Sequence, residues 1–278
     1  MLNSVGIVAR YDKKQAIKLT EGLAKFLRNK GIEVKIEDTL RGQISLAEET
    51  VPLSNMKTDA IITIGGDGTI LRTCLSIPKP EPPILAINMG VRGFLTEVEP
   101  KDAYTAMEKL LKGEYHLHKA TKLSIQTSEK IIPDALNDVV ISTEDPAKIL
   151  YAQIAKDDRP ILKCQADGLI LSTRTGSTGY SLSAGGPVLD PGIDALVLTP
   201  ICSLTVFNSI VFPANTKVTI KAIRPKKLLV LIDGNYRVLM EKETRLAITR
   251  SKNTSTFIRF KDDFYNRLRS RLLFKGMG

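Results

Sequence analysis

One segment restricts the fold of this chain more than any other: residues 61–64 favour a β-strand and lead directly into Gly65-Gly66-Asp67-Gly68-Thr69. Apolar residues at helical spacing, Ile70, Leu71 and Cys74, begin just after it. The segment therefore predicts a strand, a tight turn and the start of a helix. Its glycines let a ligand approach the backbone closely and leave amide N–H groups for phosphate oxygens, so we predict that they bind phosphate.

A carboxylate lies in the middle of this turn, at Asp67. A turn that binds anions normally avoids negative charge, so we expect Asp67 to have a chemical role. It could hold Mg²⁺, accept a proton from a hydroxyl group, or bind a sugar hydroxyl. The alternative is an ordinary strand-to-helix turn of an α/β domain, which glycines alone do not exclude.

The first part of the chain alternates predicted strands with predicted helices. Strands are predicted over residues 5–9, 32–36, 61–64 and 84–88, with one helix after the first strand and another over residues 101–111. This alternation predicts an α/β domain with a parallel sheet. Ligands of such sheets bind at the carboxyl ends of the strands, which is where the glycine-rich turn falls.

Short alternating segments dominate residues 122–250 and predict β structure. We therefore divide the chain into an α/β nucleotide-binding domain, residues 1–118, and a β-rich domain, residues 119–278. Apolar residues spaced four apart predict a terminal helix over residues 262–274. We expect this C-terminal helix to return to the first domain.

The net charge of +10 favours polyanionic partners such as nucleotides or polyphosphate, and also nucleic acid or anionic membrane. The densest basic groups, Lys226-Lys227 and residues 267–271, lack interleaved stacking aromatic side chains, so we expect no nucleic-acid binding. The uncharged run over residues 195–213 is interrupted by Pro200 and Asn208, which favours buried strands over a membrane span.

Three widely spaced cysteines and the lack of a secretory signal at the start of the sequence predict reduced thiols and a cytoplasmic location. His116 and His118 alternate along one strand without further ligands at suitable spacing. We therefore predict an exposed pair there and no metal site built by the protein alone. Strand edges in the β-rich domain favour a homo-oligomer, either a dimer or a tetramer.

A second polar segment begins at Asp167-Gly168 and, after a short strand, is rich in glycine and hydroxyl residues from Ser172 to Pro187. Such a loop can hydrogen-bond hydroxyl, amide and phosphate groups and leaves room for a planar base. A flexible surface loop is the alternative, but the aspartate at one edge, Tyr180 within the loop and the closing proline favour binding. Arg174 could pair with a donor phosphate or be a solvated loop charge.

These motifs resemble the NAD kinase family in identity, order and spacing. They are Gly65-Gly66-Asp67-Gly68-Thr69, Asn88-Met89-Gly90, Gly93-Phe94-Leu95-Thr96, Asn137-Asp138, Asp167-Gly168 and the loop from Ser172 to Pro187. The resemblance covers roughly residues 5–274. The glycine–aspartate turn alone is also similar to that of diacylglycerol, sphingosine and phosphofructokinase-type kinases, so Thr175-Gly176-Ser177-Thr178 is the more specific part.

The resemblance implies transfer of a phosphoryl group from ATP, or from polyphosphate, to the 2′-hydroxyl of the adenosine ribose of NAD. The product would be NADP, the cofactor a divalent cation such as Mg²⁺, and the β-rich domain would bind NAD. Asp67 would contact the reacting hydroxyl and act as the base, while Gly68 and Thr69 would seat phosphates. The NAD contacts implied are Asp67, Gly68, Phe94 in the adenosine pocket, Asn137 and Asp138 at adenine and ribose, and Asp167, Thr178, Tyr180 and Ser183.

Some positions depart from the family pattern. Asp138 stands where glutamate is common, Arg174 where proline is frequent, Gly179 where alanine is frequent, and Asn235 where glutamine is usual. These departures bear on the contacts to NAD and to the phosphate donor. A lipid kinase with the same turn is the alternative among enzymes, and a non-catalytic NAD(P)-binding regulator is the alternative from another class. The presence of Asp67 in the glycine-rich turn argues against a non-catalytic regulator, because such a protein would not need the carboxylate there.

Overall fold

The computed structural model describes residues 2–45, 50–90, 93–127, 130–205, 207–241 and 244–273. The chain divides into two compact units, one formed by residues up to Lys119 and from Ser255 onward, the other by Ala120–Thr254. The sequence places the first boundary one residue earlier and assigns the whole C-terminal part to the second domain. The structure instead groups the C-terminal segment with the first unit.

The first unit alternates strands and helices, as its sequence predicts. Its elements in chain order are β1 (Ser4–Ala9), α1 (Lys14–Asn29), β2 (Glu33–Glu37), β3 (Thr50–Val51), β4 (Ala60–Gly65), α2 (Asp67–Ser76), β5 (Ile84–Asn88) and α3 (Ala103–Lys112). The next strand, β6 (His116–Gln126), leads into the second unit.

The strands of the first unit form a parallel sheet in the order β3-β2-β1-β4-β5. The chain moves outward from β1 in one direction and from β4 in the other, so the strand order reverses between β1 and β4. In open α/β sheets the carboxyl ends of the strands at such a reversal form the ligand-binding crevice. The glycine-rich turn follows β4 at this point.

The core of the first unit joins the sheet to the apolar faces of α1 and α3. Every residue of β4 and β5 is buried, which explains why these strands are continuous apolar runs rather than alternating patterns. Helix α1 buries Leu23 and Leu27 on one face. It ends just before Gly31, whose φ of +79° places it in the left-handed region that commonly terminates helices.

The second unit is built almost entirely of strands. Its strands are β7 (Asp138–Thr143), β8 (Leu150–Lys156), β9 (Arg159–Ala166), β10 (Gly168–Ser172), β11 (Ala195–Ile201), β12 (Ile210–Pro213), β13 (Val218–Arg224), β14 (Lys227–Ile232), β15 (Tyr236–Glu241) and β16 (Arg245–Arg259). The short helix α4 (Tyr180–Ser183) lies between β10 and β11 in the chain. One antiparallel sheet has the order β12-β11-β10-β7-β14-β15. In the other, β16 pairs with β13, β13 with β8 and β8 with β9. The uncharged run supplies strands β11 and β12.

The C-terminal helix, α5 (Phe264–Leu273), belongs to the first unit, as predicted. Its Arg267 donates hydrogen bonds to the backbone carbonyls of Phe94 and Thr96. The end of β16 also pairs with β5, through Phe257 and Ile84. Across the part of the chain that the structure describes, no helix combines the length and the apolar character needed to cross a membrane.

Candidate active site

The glycine-rich turn has the predicted strand, turn and helix arrangement. Strand β4 ends at Gly65, Gly66 is the N-cap residue with an extended backbone, and Asp67 is the first residue of α2. The amide of Thr69 donates to the carbonyl of Gly66 at 3.0 Å, which begins the helix. The N-terminus of α2 therefore lies at the carboxyl end of β4, beside the point where the strand order reverses.

The three glycines of the turn differ in their surroundings. A Cβ at Gly65 would collide with the Thr69 side chain, so packing alone explains this glycine. A Cβ at Gly66 or Gly68 would meet no atom of the described residues within 4 Å, and neither glycine has a left-handed backbone. Space above Gly66 and Gly68 is therefore open, as the approach of a ligand requires.

The Asp67 carboxylate is held by the turn at Gly93-Phe94-Leu95. The amide of Phe94 donates to Asp67 Oδ2 at 3.0 Å, and the amide of Leu95 donates to Oδ1 at 3.2 Å. A Cβ at Gly93 would collide with the same carboxylate, so this turn closes tightly around it. The structure thus brings together Asp67 and Phe94, which the sequence places in separate motifs.

A cleft of about 180 Å³ opens where the strand order reverses. Its lining comes from the end of β1, the residues that follow it and the first turns of α2: Ala9, Arg10, Tyr11, Asp12, Gly68, Thr69 and Arg72. Two of the predicted phosphate-binding residues, Gly68 and Thr69, are among them. The cleft combines a helix N-terminus with arginines, which is a favourable setting for anions.

Sequence reasoning missed both arginines of this cleft. The guanidinium of Arg10 donates to Asp12, with Nε to Oδ1 at 2.9 Å, and this pairing lowers the pKa of the exposed Asp12 carboxyl. Arg72 makes a bidentate pair with the buried carboxylate of Glu37, with Nη2 to Oε2 at 2.7 Å. The sequence signals that could have revealed these arginines are a basic residue directly after β1, Arg10, and a basic residue in α2, Arg72.

In the second unit, Asn137 and Asp138 lie at the start of β7, beside the end of β10. Asp138 pairs with Ser172 in the sheet register, and the amide of Thr173 donates to the carbonyl of Asn137 at 2.8 Å. A Cβ at Gly176 would collide with the same carbonyl, so the glycine- and hydroxyl-rich loop folds directly onto Asn137. The Asn137 Oδ1 is buried without a hydrogen-bond partner among the described residues, and a ligand donor would satisfy it.

The Asp233 carboxylate holds the backbone of residues 136–138. Its carboxylate accepts the amides of Leu136 at 2.8 Å, Asn137 at 2.7 Å and Asp138 at 3.1 Å. Burial raises the pKa of Asp233, although these amides and the charge of the fully buried Lys122 oppose the rise. Sequence reasoning treated Asp233 only as a neighbour of Asn235, because nothing in the local pattern reveals a partner about a hundred residues away.

Asp138 itself is almost completely buried. Burial, and then the charge of Asp233, raise the pKa of Asp138 to about 7. A carboxyl group with this pKa can exist in either protonation state near neutral pH, so it can donate or accept a hydrogen bond there.

The other predicted NAD contacts of the second unit fall into two places. Thr178 is buried in the loop, Tyr180 begins α4 with 46% of its surface exposed, and Ser183 ends that helix exposed to solvent. A Cβ at Gly179 would lie 4.0 Å from Asp138 Oδ2, so this loop borders the Asn137–Asp138 segment. Asp167, in contrast, precedes the five-residue β10 and lies at its opposite end, about 16 Å away.

Arg174 is half-buried, and its guanidinium donates to the carbonyl of Pro191. This contact anchors the side chain to its own unit. The predicted phosphate role of Arg174 stays a prediction.

Within the described residues, no three His, Cys, Asp or Glu side chains come together in a group that could hold a metal ion.

A carboxylate at a helix N-terminus that favours anions, on an α/β unit, fits an enzyme that transfers a phosphoryl group to a hydroxyl group. Two family models match the chain: "ATP-NAD kinase N-terminal domain" over residues 5–115 and "ATP-NAD kinase C-terminal domain" over residues 136–260. The chain belongs to the NAD kinase family. It is thus a phosphotransferase with an alcohol group as acceptor, and it phosphorylates NAD to NADP.

Curated relatives cover nearly the whole chain. The NAD kinase of Methanothermobacter thermautotrophicus is 40% identical over 276 residues, which is 98% of this chain and 97% of the relative. The NAD kinase of Thermococcus kodakarensis is 39% identical over 266 residues, covering 94% of this chain and 95% of the relative.

Solved structures show the same architecture. An NAD kinase from Archaeoglobus fulgidus in complex with ATP aligns with a TM-score of 0.79 and 25% identity, covering 96% of this chain and 99% of that one. A yeast NADH kinase complexed with NADH aligns with a TM-score of 0.89 and 22% identity, covering 100% of this chain and 89% of that one, and it supports the fold alone.

Proposed function

We propose that the chain transfers the terminal phosphoryl group of ATP to the ribose 2′-hydroxyl of NAD, with Asp67 as the group that accepts the hydroxyl proton. The observation that carries this proposal is the Asp67 carboxylate, held by two backbone amides at the start of α2. Each oxygen of a carboxylate can accept more than one hydrogen bond, so the two amides do not preclude a bond from the hydroxyl of a substrate.

Phosphoryl transfer requires in-line positioning and neutralisation of charge more than covalent chemistry by the protein. A ribose hydroxyl is a far weaker acid than an aspartic acid. Asp67 therefore takes the proton as the new O–P bond forms, not before. The amides of Phe94 and Leu95 keep the carboxylate from rotating away from the hydroxyl during this step.

The phosphates of the donor bind, in this proposal, at the turn and the cleft beside it. Support comes from the open space above Gly66 and Gly68, from the N-terminus of α2, and from the guanidinium groups of Arg10 and Arg72. ATP is the favoured donor because a related NAD kinase was crystallised in complex with ATP. Polyphosphate carries the same linked phosphate groups and is the alternative donor.

The second unit supplies the principal contacts to NAD. The unpartnered Asn137 Oδ1 accepts a donor of the adenine ring, and Asp138 binds ribose hydroxyl groups. Thr178, Tyr180 and Ser183, on the loop and short helix around Gly179, complete these contacts in the proposal. Phe94 lines the adenosine pocket, and Asp167 is kept as a predicted contact although it lies at the other end of β10.

A divalent cation, Mg²⁺, accompanies the donor. The cation would be held chiefly by donor phosphates and water, as Mg²⁺ commonly is, which leaves Asp67 to accept the hydroxyl proton. When bound, Mg²⁺ neutralises the negative charge that the phosphates carry during transfer.

A homo-oligomer and a cytoplasmic location remain predictions. The outer strand β15 carries the exposed side chains Tyr236 and Leu239, which a second copy could cover. Light scattering on the protein as it elutes from a size-exclusion column measures its mass in solution. A mass of one chain would contradict the predicted dimer or tetramer.

The proposed reaction is tested by incubating the pure protein with Mg²⁺ and NAD, with ATP and polyphosphate in parallel. NADP is detected with a dehydrogenase that accepts only NADP. We expect NADP with ATP, and its formation with polyphosphate would add a second donor. Absence of NADP with both donors, despite saturable NAD binding, would overturn the proposal.

A further inference from the structure

Helix α5 places one arginine directly against the turn that holds Asp67. The Arg267 Nη1 donates to the carbonyls of Phe94 at 3.0 Å and Thr96 at 2.6 Å. Its Nη2 donates to Glu97 Oε2 at 2.6 Å, and its Nε donates to the Asp263 carboxylate. All guanidinium nitrogens of Arg267 therefore make hydrogen bonds, and only 6% of its side chain is exposed.

A second arginine holds the same turn from the end of β16. The Arg259 Nη1 donates to the carbonyl of Leu95 and to Glu97 Oε2, each at 3.0 Å. The Glu97 carboxylate is 1% exposed and also accepts the amide of Phe260 at 2.9 Å. Arg267 and the largely buried Arg259 thus face two buried carboxylates, Glu97 and Asp263, so each charge of the cluster has an opposite partner.

The geometry of the peptide bond links this cluster to Asp67. The carbonyl of Phe94 and the amide of Leu95 belong to one planar peptide group, in which they point in opposite directions. Arg267 binds the carbonyl of this group, and Asp67 Oδ1 accepts its amide. An arginine that fixes the carbonyl therefore also fixes the direction of the amide that holds the carboxylate.

We propose that Arg267 is a positioning residue for the phosphoryl transfer, acting on Asp67 through the Phe94–Leu95 peptide group. This inference rests on the proposed role of Asp67 as proton acceptor. Helix α5 adds a second contact to the same turn, since the rings of Phe94 and Phe264 lie 6.0 Å apart between centroids. The C-terminal segment, about 170 residues beyond the turn, thereby determines the geometry of the catalytic carboxylate.

The test compares Arg267→Met with Arg269→Met, a matched control on the exposed side of the same helix. Because a shift of about 1 Å in a reacting group can cost ~100-fold in rate, we expect Arg267→Met to lower kcat by roughly tenfold to a hundredfold. The KM for ATP should change little, and Arg269→Met should behave as the unaltered protein. Unchanged kcat in a folded Arg267→Met protein would overturn the inference.

Arg267→Lys covers the case in which Arg267→Met fails to fold. Lysine keeps the positive charge beside Glu97 and Asp263, but a single ammonium group cannot reproduce the planar arrangement of donors. We expect a folded protein, by circular dichroism, with reduced kcat. A folded Arg267→Lys protein with full kcat would contradict the inference.

Combination with Asp67→Asn separates positioning from general damage. If Arg267 acts through Asp67, replacing Arg267 in the Asp67→Asn background costs no further activity. If the double variant instead loses kcat by the product of the two single losses, Arg267 acts elsewhere. That result would overturn the inference while leaving the proposed function intact. Unchanged kcat for Asp67→Asn alone would instead overturn the proposed role of Asp67, and the inference with it.

Discussion

At the scale of single residues, the three glycines of the glycine-rich turn, Gly65, Gly66 and Gly68, have different structural reasons. Gly65 has no space for a side chain, because Thr69 packs against it. Gly66 and Gly68 have that space and an ordinary backbone, so the fold itself does not require glycine there. In the proposed function, their small size leaves room for the phosphates of the donor.

Gly68→Ala separates binding from stability. Gly68 is the second residue of α2, and alanine is the better helix former by about 1 kcal/mol, so the free energy of unfolding should stay equal or rise slightly. The added methyl group occupies the open face of the turn, so KM for the phosphate donor should rise. Gly65→Ala, where the methyl group collides with Thr69, should instead lower the thermal stability. Unchanged KM for Gly68→Ala would contradict a phosphate site at this turn.

The buried carboxyl of Asp138 gives the stability a specific pH dependence. Its pKa is raised to about 7, above the ordinary value of 3.8, so between these pH values the folded state holds a proton that the unfolded state releases. Stability therefore falls as pH rises from about 4 to about 7, and above pH 7 the full loss, on the order of a few kcal/mol, is present.

Asp138→Asn should remove this dependence. In urea unfolding at a series of pH values, the variant should gain stability relative to the unaltered protein as pH rises towards 7, and the difference should then level off. Glu108→Gln, at an exposed position of α3, serves as the control. Parallel pH profiles for Asp138→Asn and the unaltered protein would contradict a raised pKa at Asp138.

At the scale of elements, the loop from β10 to α4 is fitted closely to the start of β7. Gly176 lies against the carbonyl of Asn137, and Thr173 joins the two segments, with its amide donating to the Asn137 carbonyl at 2.8 Å and its hydroxyl to the Leu136 carbonyl at 2.7 Å. The loop therefore packs closely beside Asn137 and Asp138. This packing favours the predicted binding loop over the alternative of a flexible surface loop.

Gly176→Ala should weaken NAD binding and destabilise the fold. The methyl group meets backbone rather than a movable side chain, so the loop must shift, at a cost of roughly 1–3 kcal/mol. Gly179→Ala is the matched control, since its Cβ would come no closer than 3.2 Å to the nearest atom. Calorimetric titration with NAD measures both. An NAD affinity of Gly176→Ala equal to that of the unaltered protein would contradict the placement of NAD against this loop.

At the scale of the whole molecule, the sequence predicted those features that depend on local pattern. Continuous apolar runs revealed β4 and β5, and the glycine-rich turn revealed the start of α2. The same reasoning could not predict the ionic partners of the site. Arg267 lies 170 residues beyond Glu97, and Asp233 lies 96 residues beyond Asn137. Such pairs leave no periodic signal, because only the folded chain brings their charges together.

The resemblance to a family supplied what periodicity could not, namely the identity of the substrates and the roles of separate motifs. The resemblance did not reveal the arginines beside the glycine-rich turn or the buried Asp233. A motif gives the order of residues in the sequence, but not the contacts that position those residues in the fold. The contacts of Asp67 with Phe94 and Leu95 are of this kind.

The most direct test of the account measures kcat and NAD affinity for Asp67→Asn beside the unaltered protein. Asparagine has nearly the same shape, and its single oxygen can still accept one of the two amides that hold Asp67, so the fold and NAD binding should be kept. It cannot take the hydroxyl proton, so kcat should fall by about 10²–10⁴-fold, the usual worth of a general base. Unchanged kcat with intact NAD binding would contradict the central claim that Asp67 accepts the proton.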